Sequence, residues 1–297
     1  MKKNKTIIMV LFFFMGLLIL LYPSLSDFYN QKVQSQVIVD YEKLLEKYSD
    51  EDYSEQFAKA NKYNQKLSKL SDPYLMYNSL KNYNDIININ GNGMMGYISI
   101  DKIKVELPIY HGTSEDVLSV AVGHLEGSSL PVGGKGTHSV LSAHRGLPST
   151  KLFTDLDKLE IGDTFTITIL DQLLTYEIDQ IEIVKPDNID NLAIDPNEDY
   201  LTLMTCTPFG VNTHRLLVRG KRTENAKKPT FVTTEAFRIS TLTVTPIVAI
   251  PIILIILLII IFQPIKNYNK NKLIEEYIFP SKVKKESGGQ EDENKDE

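Results

Sequence analysis

Two apolar runs bracket this chain and limit what it can fold into more than any other feature. Ile7 to Tyr22 is almost uninterrupted behind Lys2, Lys3 and Lys5, which reads as the core of a signal peptide or as an uncleaved anchor. Ser24-Leu25-Ser26 offers a small-residue cleavage site, so both readings stand. Leu242 to Phe262 is long enough to span a bilayer, and its Pro246 and Pro251 are tolerable inside a membrane helix. Lysines precede the first run, and Lys266, Lys270 and Lys272 follow the second. The positive-inside rule then predicts a two-pass protein of the cell membrane, with both termini cytoplasmic and the middle outside.

About 220 residues lie between the runs, enough for one domain with a sizeable core and an appendage. The chain has 38 Asp and Glu against 32 Lys and Arg. The excess of acid grows when the lysines at the two ends are set aside, and no basic stripe is present, which argues against nucleic acid as a partner. The single cysteine, Cys206, cannot form an internal disulfide, so an exported domain must be held by its core alone.

Texture divides the sequence further. Val37, Tyr41, Leu44, Leu45 and Tyr48, then Tyr53, Phe57, Ala60 and Leu67, recur at helical spacing and predict two amphipathic helices packed on the main domain. The polar stretch from Ser71 to Gly93 is predicted to be a long connection, a length often met in lids and binding loops. From Gly96 short strand-like runs follow: Tyr97 to Ile100, Lys104 to Tyr110, Ser139 to Ala143, Thr164 to Leu170, Leu174 to Ile178, Ile181 to Val184, Leu201 to Cys206 and Leu216 to Val218. Eight such strands, with helical turns only at Thr113 to Val120 and Thr150 to Leu156, predict a mainly β sandwich or closed barrel. The expected organisation is an N-terminal signal or anchor at 1–26, helices and a lid segment at 27–95, and the barrel at 96–222. A linker at 223–240, a membrane helix at 241–262 and a charged tail at 263–297 complete it.

Cys206 ends an apolar run, Leu201 to Cys206, and Pro208 and Gly210 break the strand behind it. A thiol is mostly protonated at neutral pH, so a nucleophilic cysteine needs a partner that stabilises thiolate or accepts the proton. Of the five histidines, His144 stands out because it leaves Val140-Leu141-Ser142-Ala143 in the same strand-to-loop fashion, yet any one histidine reads first as structural. Arg215 opens the next apolar run. A guanidinium there can hold a substrate carbonyl or stabilise an oxyanion, although on spacing alone a surface arginine paired with a carboxylate fits as well. One cysteine with scattered histidines lacks zinc spacing, and Gly133-Gly134-Lys135-Gly136 lacks the phosphate-loop pattern, so no metal or cofactor is expected.

The string Thr202-Leu203-Met204-Thr205-Cys206-Thr207-Pro208-Phe209-Gly210-Val211-Asn212-Thr213-His214-Arg215-Leu216-Leu217-Val218-Arg219-Gly220 resembles the signature of sortases, the cysteine transpeptidases of Gram-positive surfaces. The likeness extends to Ser142-Ala143-His144-Arg145-Gly146-Leu147-Pro148 and Leu152-Phe153-Thr154-Asp155-Leu156, and covers roughly residues 96–220. The C-terminal apolar run and Asp72-Pro73-Tyr74, similar to a lid motif, make it most like class C, the pilus-assembling sortases.

That resemblance implies an eight-stranded sortase-type barrel with Cys206 as nucleophile, His144 as general acid/base and Arg215 as the oxyanion or substrate-positioning group. It implies cleavage of an LPXTG-like sorting signal after Thr, a thioester on Cys206, and transfer to an amine. In class C the amine is a pilin lysine; in a second reading it belongs to a peptidoglycan precursor and surface proteins are anchored. A third reading keeps the barrel as a membrane-tethered binding module with an idle thiol. The lid motif implies Asp72 against Arg215 and Tyr74 over Cys206, a displaceable cover on the site.

Overall fold

The computed structural model describes residues 2–48 and 50–225. The second apolar run and the charged tail lie outside the described residues. Helix α1 (Lys2–Leu45) is continuous, with Pro23 inside it. It merges the first apolar run and the first predicted amphipathic helix into one rod. Its stretch from Ile8 is apolar enough to cross a membrane, with mean hydropathy 2.5 in its richest window and none of that window buried. Helix α2 (Asp50–Leu67) matches the second prediction. Its Ala60, Tyr63 and Leu67 join the main core, as expected for one apolar stripe on an otherwise polar helix.

Eight strands close a barrel: β1 (Met94–Ile100), β2 (Val105–His111), β3 (Val122–His124), β4 (Thr137–Ser142), β5 (Thr164–Ile169), β6 (Gln172–Val184), β7 (Asp199–Thr207) and β8 (His214–Arg222). Around the barrel they run β1-β2-β3-β4-β7-β8-β6-β5, and β5 closes on β1. The β2–β3 and β4–β7 pairs are parallel and the others antiparallel. Alternation along each strand sends Ile98, Ile109, Leu141, Ile167, Leu203 and Val218 into the lumen, all fully buried. A barrel of this size is filled by side chains rather than hollow.

The count of eight agrees with the sequence, but the strands are not the same eight. Leu174–Ile178 and Ile181–Val184 belong to one strand, β6, whose pairing with β8 shifts register between Ile178 and Gln180. That irregularity interrupts the period of two and makes one strand read as two. Strand β3 was not predicted, because three residues carry no period to detect. The turn at Thr113–Val120 contains helix α4 (Glu115–Leu118). The turn predicted at Thr150–Leu156 is instead a series of turns ending in a 3-10 helix at Leu156–Lys158. The long connection is not structureless: it holds helix α3 (Pro73–Met76) and 3-10 turns at Tyr77–Ser79 and Tyr83–Asp85.

Candidate active site

Strands β4 and β7 run parallel with Ser142 opposite Met204, so both leave the barrel at the same rim. Beyond the last pair, the Ala143 amide donates to the Met204 carbonyl at 3.2 Å and the Thr205 hydroxyl donates to the Ala143 carbonyl at 2.8 Å. These bonds fix His144 alongside Cys206. Across the antiparallel β7–β8 pair, Cys206 stands directly opposite Arg215. Leu203 and Leu216 face the core, whereas Met204 and Leu217 belong to a separate outer cluster. Two-residue alternation therefore puts Cys206 and Arg215 on the outer face of the barrel wall.

Cys206 is half-buried and free. The imidazole Nε2 of His144 lies 3.2 Å from each carboxylate oxygen of Glu115 on α4. That carboxylate accepts the Nε2 proton and leaves Nδ1 for exchange with another group. Arg215 donates from Nη1 to the carbonyls of His214, at 3.2 Å, and Asn212, at 3.4 Å. No carboxylate among the described residues lies within ion-pair distance of it. A thiol, an imidazole held by a carboxylate, and a guanidinium without a counterion can together support attack on a carbonyl and stabilise the resulting oxyanion.

Arg145 ties the two loops of the rim. Its Nη2 donates to Asp157 at 2.5 Å and its Nη1 to the Thr207 hydroxyl at 3.5 Å, and it lies 5.9 Å from the centroid of the Phe209 ring. Phe209 rests on Gly146, where a Cβ would come within 2.9 Å of the ring and the backbone has φ +79°. Any larger residue there would displace Phe209 and strain the chain. The Thr207–Pro208 peptide is cis.

A groove of about 380 Å³ leads away from Arg215, lined by Leu125, Val184, Leu192, Met204 and Leu217. Tyr74 lines it too and packs on the outer apolar cluster, with its hydroxyl donating to the Leu192 carbonyl at 3.2 Å. Burial pushes its phenol pKa well above the ordinary value. Backbone contact is close on the far side. A Cβ on Gly127, at φ +87°, would lie 2.8 Å from the Tyr74 Cα, so glycine makes room for the segment. Asp72 caps α3 by accepting from the Leu75 amide at 3.1 Å, and Pro73 starts the helix. No ion pair joins Asp72 to Arg215 among the described residues. The segment therefore forms one wall of the groove through Tyr74 and orders itself through Asp72.

Three of the other four histidines are structural in their contacts, and His214 meets only the adjacent Thr213 hydroxyl, at 3.0 Å, among the described residues. His138 bridges the Ala193 carbonyl at 2.8 Å and the Thr202 hydroxyl at 2.7 Å, and burial lowers its pKa to about 4. His124 meets the Tyr83 hydroxyl and the Ser129 carbonyl at 2.8 Å each, and burial lowers its pKa to about 3. His111 lies against the Gly93 and Ile86 carbonyls at 2.9 Å. Among the described residues no group of three His, Cys, Asp or Glu side chains is arranged to hold a metal ion. Glu115 and Thr205 escaped the sequence reading. Glu115 sits 29 residues from His144, and only the predicted turn at Thr113–Val120 hinted at its place.

Comparison with known proteins agrees with the fold. The sortase domain family model matches residues 98–223. The crystal structure of sortase C1 from Streptococcus agalactiae is 49% identical, with TM-score 0.59, over 64% of this chain and all of that one. Clostridium perfringens sortase C, solved with the C-terminal cell wall sorting motif, is 46% identical with TM-score 0.55, over 64% of this chain and all of that one. Sortase D of Bacillus subtilis is 35% identical over 130 residues, 43% of this chain and 63% of that relative. The chain thus spans less than two thirds of the length of this curated relative. The protein belongs to the sortase family, and its solved relatives include several sortases of class C.

Proposed function

We propose that this protein is a pilus-assembling cysteine transpeptidase of the class C type, with Cys206, His144 and Arg215 as its reacting groups. The observation that carries the proposal is the meeting of three chain segments at one rim: Cys206 opposite Arg215, and His144 leaving the parallel neighbour strand. The Cys206 sulfur attacks the Thr carbonyl of an LPXTG-like signal as its proton passes to His144, and Arg215 faces the oxyanion of the tetrahedral intermediate. His144 gives a proton to the leaving amine as the C–N bond breaks and the thioester remains. A pilin lysine then passes a proton to His144 and attacks the thioester; the C–S bond breaks, His144 returns the proton to the sulfur, and an isopeptide bond between pilins remains. Glu115 holds the His144 ring by Nε2 during both transfers.

In this reading Asp72-Pro73-Tyr74 is a lid. Tyr74 walls the apolar groove that reaches Arg215, and an incoming sorting signal displaces it. The lysines flanking both apolar runs support the reading of a two-pass membrane enzyme with the barrel outside. Cys206→Ala in the producing cell is expected to abolish high-molecular-weight pilin ladders; ladders that persist contradict the assignment. Offering the purified chain a lysine-bearing pilin or a peptidoglycan precursor amine separates polymerisation from wall anchoring. Polymer product from the pilin alone supports the class C reading, and product from the wall amine alone overturns it.

A further inference from the structure

Asp27, Asn30 and Gln34 fall at i, i+3 and i+7 on α1, one stripe of the helix. All three reach the barrel. The Lys151 amide donates to Asp27 Oδ1 at 2.8 Å, and Asn30 Nδ2 donates to the Ser149 carbonyl at 2.7 Å. Gln34 Nε2 donates to the Val120 carbonyl at 2.7 Å and lies 3.4 Å from the Thr150 hydroxyl. Gln34 is only 6% exposed and Thr150 only 3%. Glutamine is rarely so buried in a helix unless its amide has a specific task.

The acceptors and donors on the barrel side belong to two loops. Residues 149–151 continue the loop that starts at His144, and that loop is tied to itself by the Phe153 amide on the His144 carbonyl and the Gly146 amide on the Thr154 hydroxyl. Val120 follows α4, which carries Glu115. One stripe on the anchor helix therefore grips both loops that meet at the His144–Glu115 contact. Further along, Ile38 and Tyr41 take the same helix face into an apolar cluster with Met94 and Tyr97. The polar half of the stripe serves the rim and the apolar half serves the wall.

We propose that Asp27, Asn30 and Gln34 are positioning residues: the anchor helix holds the His144 and Glu115 loops in register, so that the membrane-proximal rod is part of the catalytic apparatus. The proposal rests on the reading of His144 as the general acid/base. Small displacements of a proton donor are costly, about 100-fold in rate for 1 Å in sensitive cases, and a partial loosening has a smaller effect.

The test uses the full chain in lipid nanodiscs, with turnover of an LPXTG peptide and amide hydrogen exchange measured on the same samples. Asn30→Ala/Gln34→Ala is expected to lower kcat about tenfold with KM unchanged. Exchange should quicken in residues 112–121 and 144–155 while β4, β7 and β8 stay protected, which also shows that the barrel folds. Asp27→Ala should lose rate and Asp27→Asn, which still accepts from the Lys151 amide, should recover it. Unchanged kcat, or loops that stay protected, overturns the proposal. A fall in kcat that tracks loss of folded protein overturns it in favour of mere bracing. A wild type without turnover, despite intact loop protection, removes the acid/base reading and the catalytic role of the stripe with it.

Discussion

The β7–β8 hairpin carries two polar clusters, one at each end, and they are built on opposite rules. At the open end, away from the 208–213 turn, Asp199 accepts from the Gly134 amide at 2.7 Å, the Tyr176 hydroxyl at 3.1 Å and the Thr137 hydroxyl at 3.4 Å, with Arg222 at 3.9 Å. Almost every bonding site of that carboxylate is filled. At the turn end Cys206 and Arg215 face each other on the same two strands, and among the described residues Arg215 hydrogen-bonds only to backbone carbonyls. A buried polar group that holds a fold must be satisfied; a group that does chemistry must keep capacity for a substrate. Under the proposed function the difference separates a structural end from a reactive one, even though both sit on the same ladder.

This contrast can be broken in order of expected effect. His144→Ala should cut transpeptidation about 1,000-fold, the usual size of a general acid/base contribution, with the thermal midpoint unmoved. A large loss of stability would make the rim structural instead. Acid should act on the barrel interior next. His138 and His124 are held neutral by burial, with pKa lowered from 6.5 to about 4 and about 3. Above pH 6.5 folded and unfolded chains bind the same protons at these rings. As pH falls from 6.5 toward 4 the unfolded chain takes up protons that the buried rings refuse, so stability declines through that window. For His138 alone the loss is on the order of 3 kcal/mol. Urea unfolding between pH 4 and 7 measures it, and His138→Gln should flatten the slope.

Asp199→Ala should cost about 2 kcal/mol by leaving the Gly134 amide and Tyr176 hydroxyl unpaired, while the rate per folded molecule stays the same. A rate loss without unfolding would connect the two ends and erase the distinction between them. The smallest effect belongs to the lid. Asp72→Ala removes the cap of α3 and should speed alkylation of Cys206 about fivefold through easier release of Tyr74; stopped-flow labelling reads this directly.

The turn end, with the candidate site, leaves a clearer trace in the sequence than the open end around Asp199. Cys206, His144 and Arg215 each lie where an apolar run meets a breaker, and strand ends at one rim leave that trace. Asp199 and Tyr176 lie inside or beside strand-like runs and show their partnership only after β4, β6 and β7 come together. The barrel was legible through period-two runs, except where β3 is too short and β6 is irregular. The first helix was read as two pieces because its composition changes near Asp27 although its backbone does not. Glu115 and Gln34 depend on contacts across 29 and 86 residues, and no local pattern announces such pairs.

The most direct measurement is the intact mass of the protein after incubation with an LPXTG-type peptide, for wild type and for Tyr74→Ala. The expected result is a mass increase on Cys206 equal to the acyl fragment ending in Thr, carried by a larger fraction of molecules in Tyr74→Ala, and its disappearance when a lysine-bearing acceptor is added. An unmodified Cys206 in both proteins, with a folded barrel and an exchange-competent lid, would contradict it.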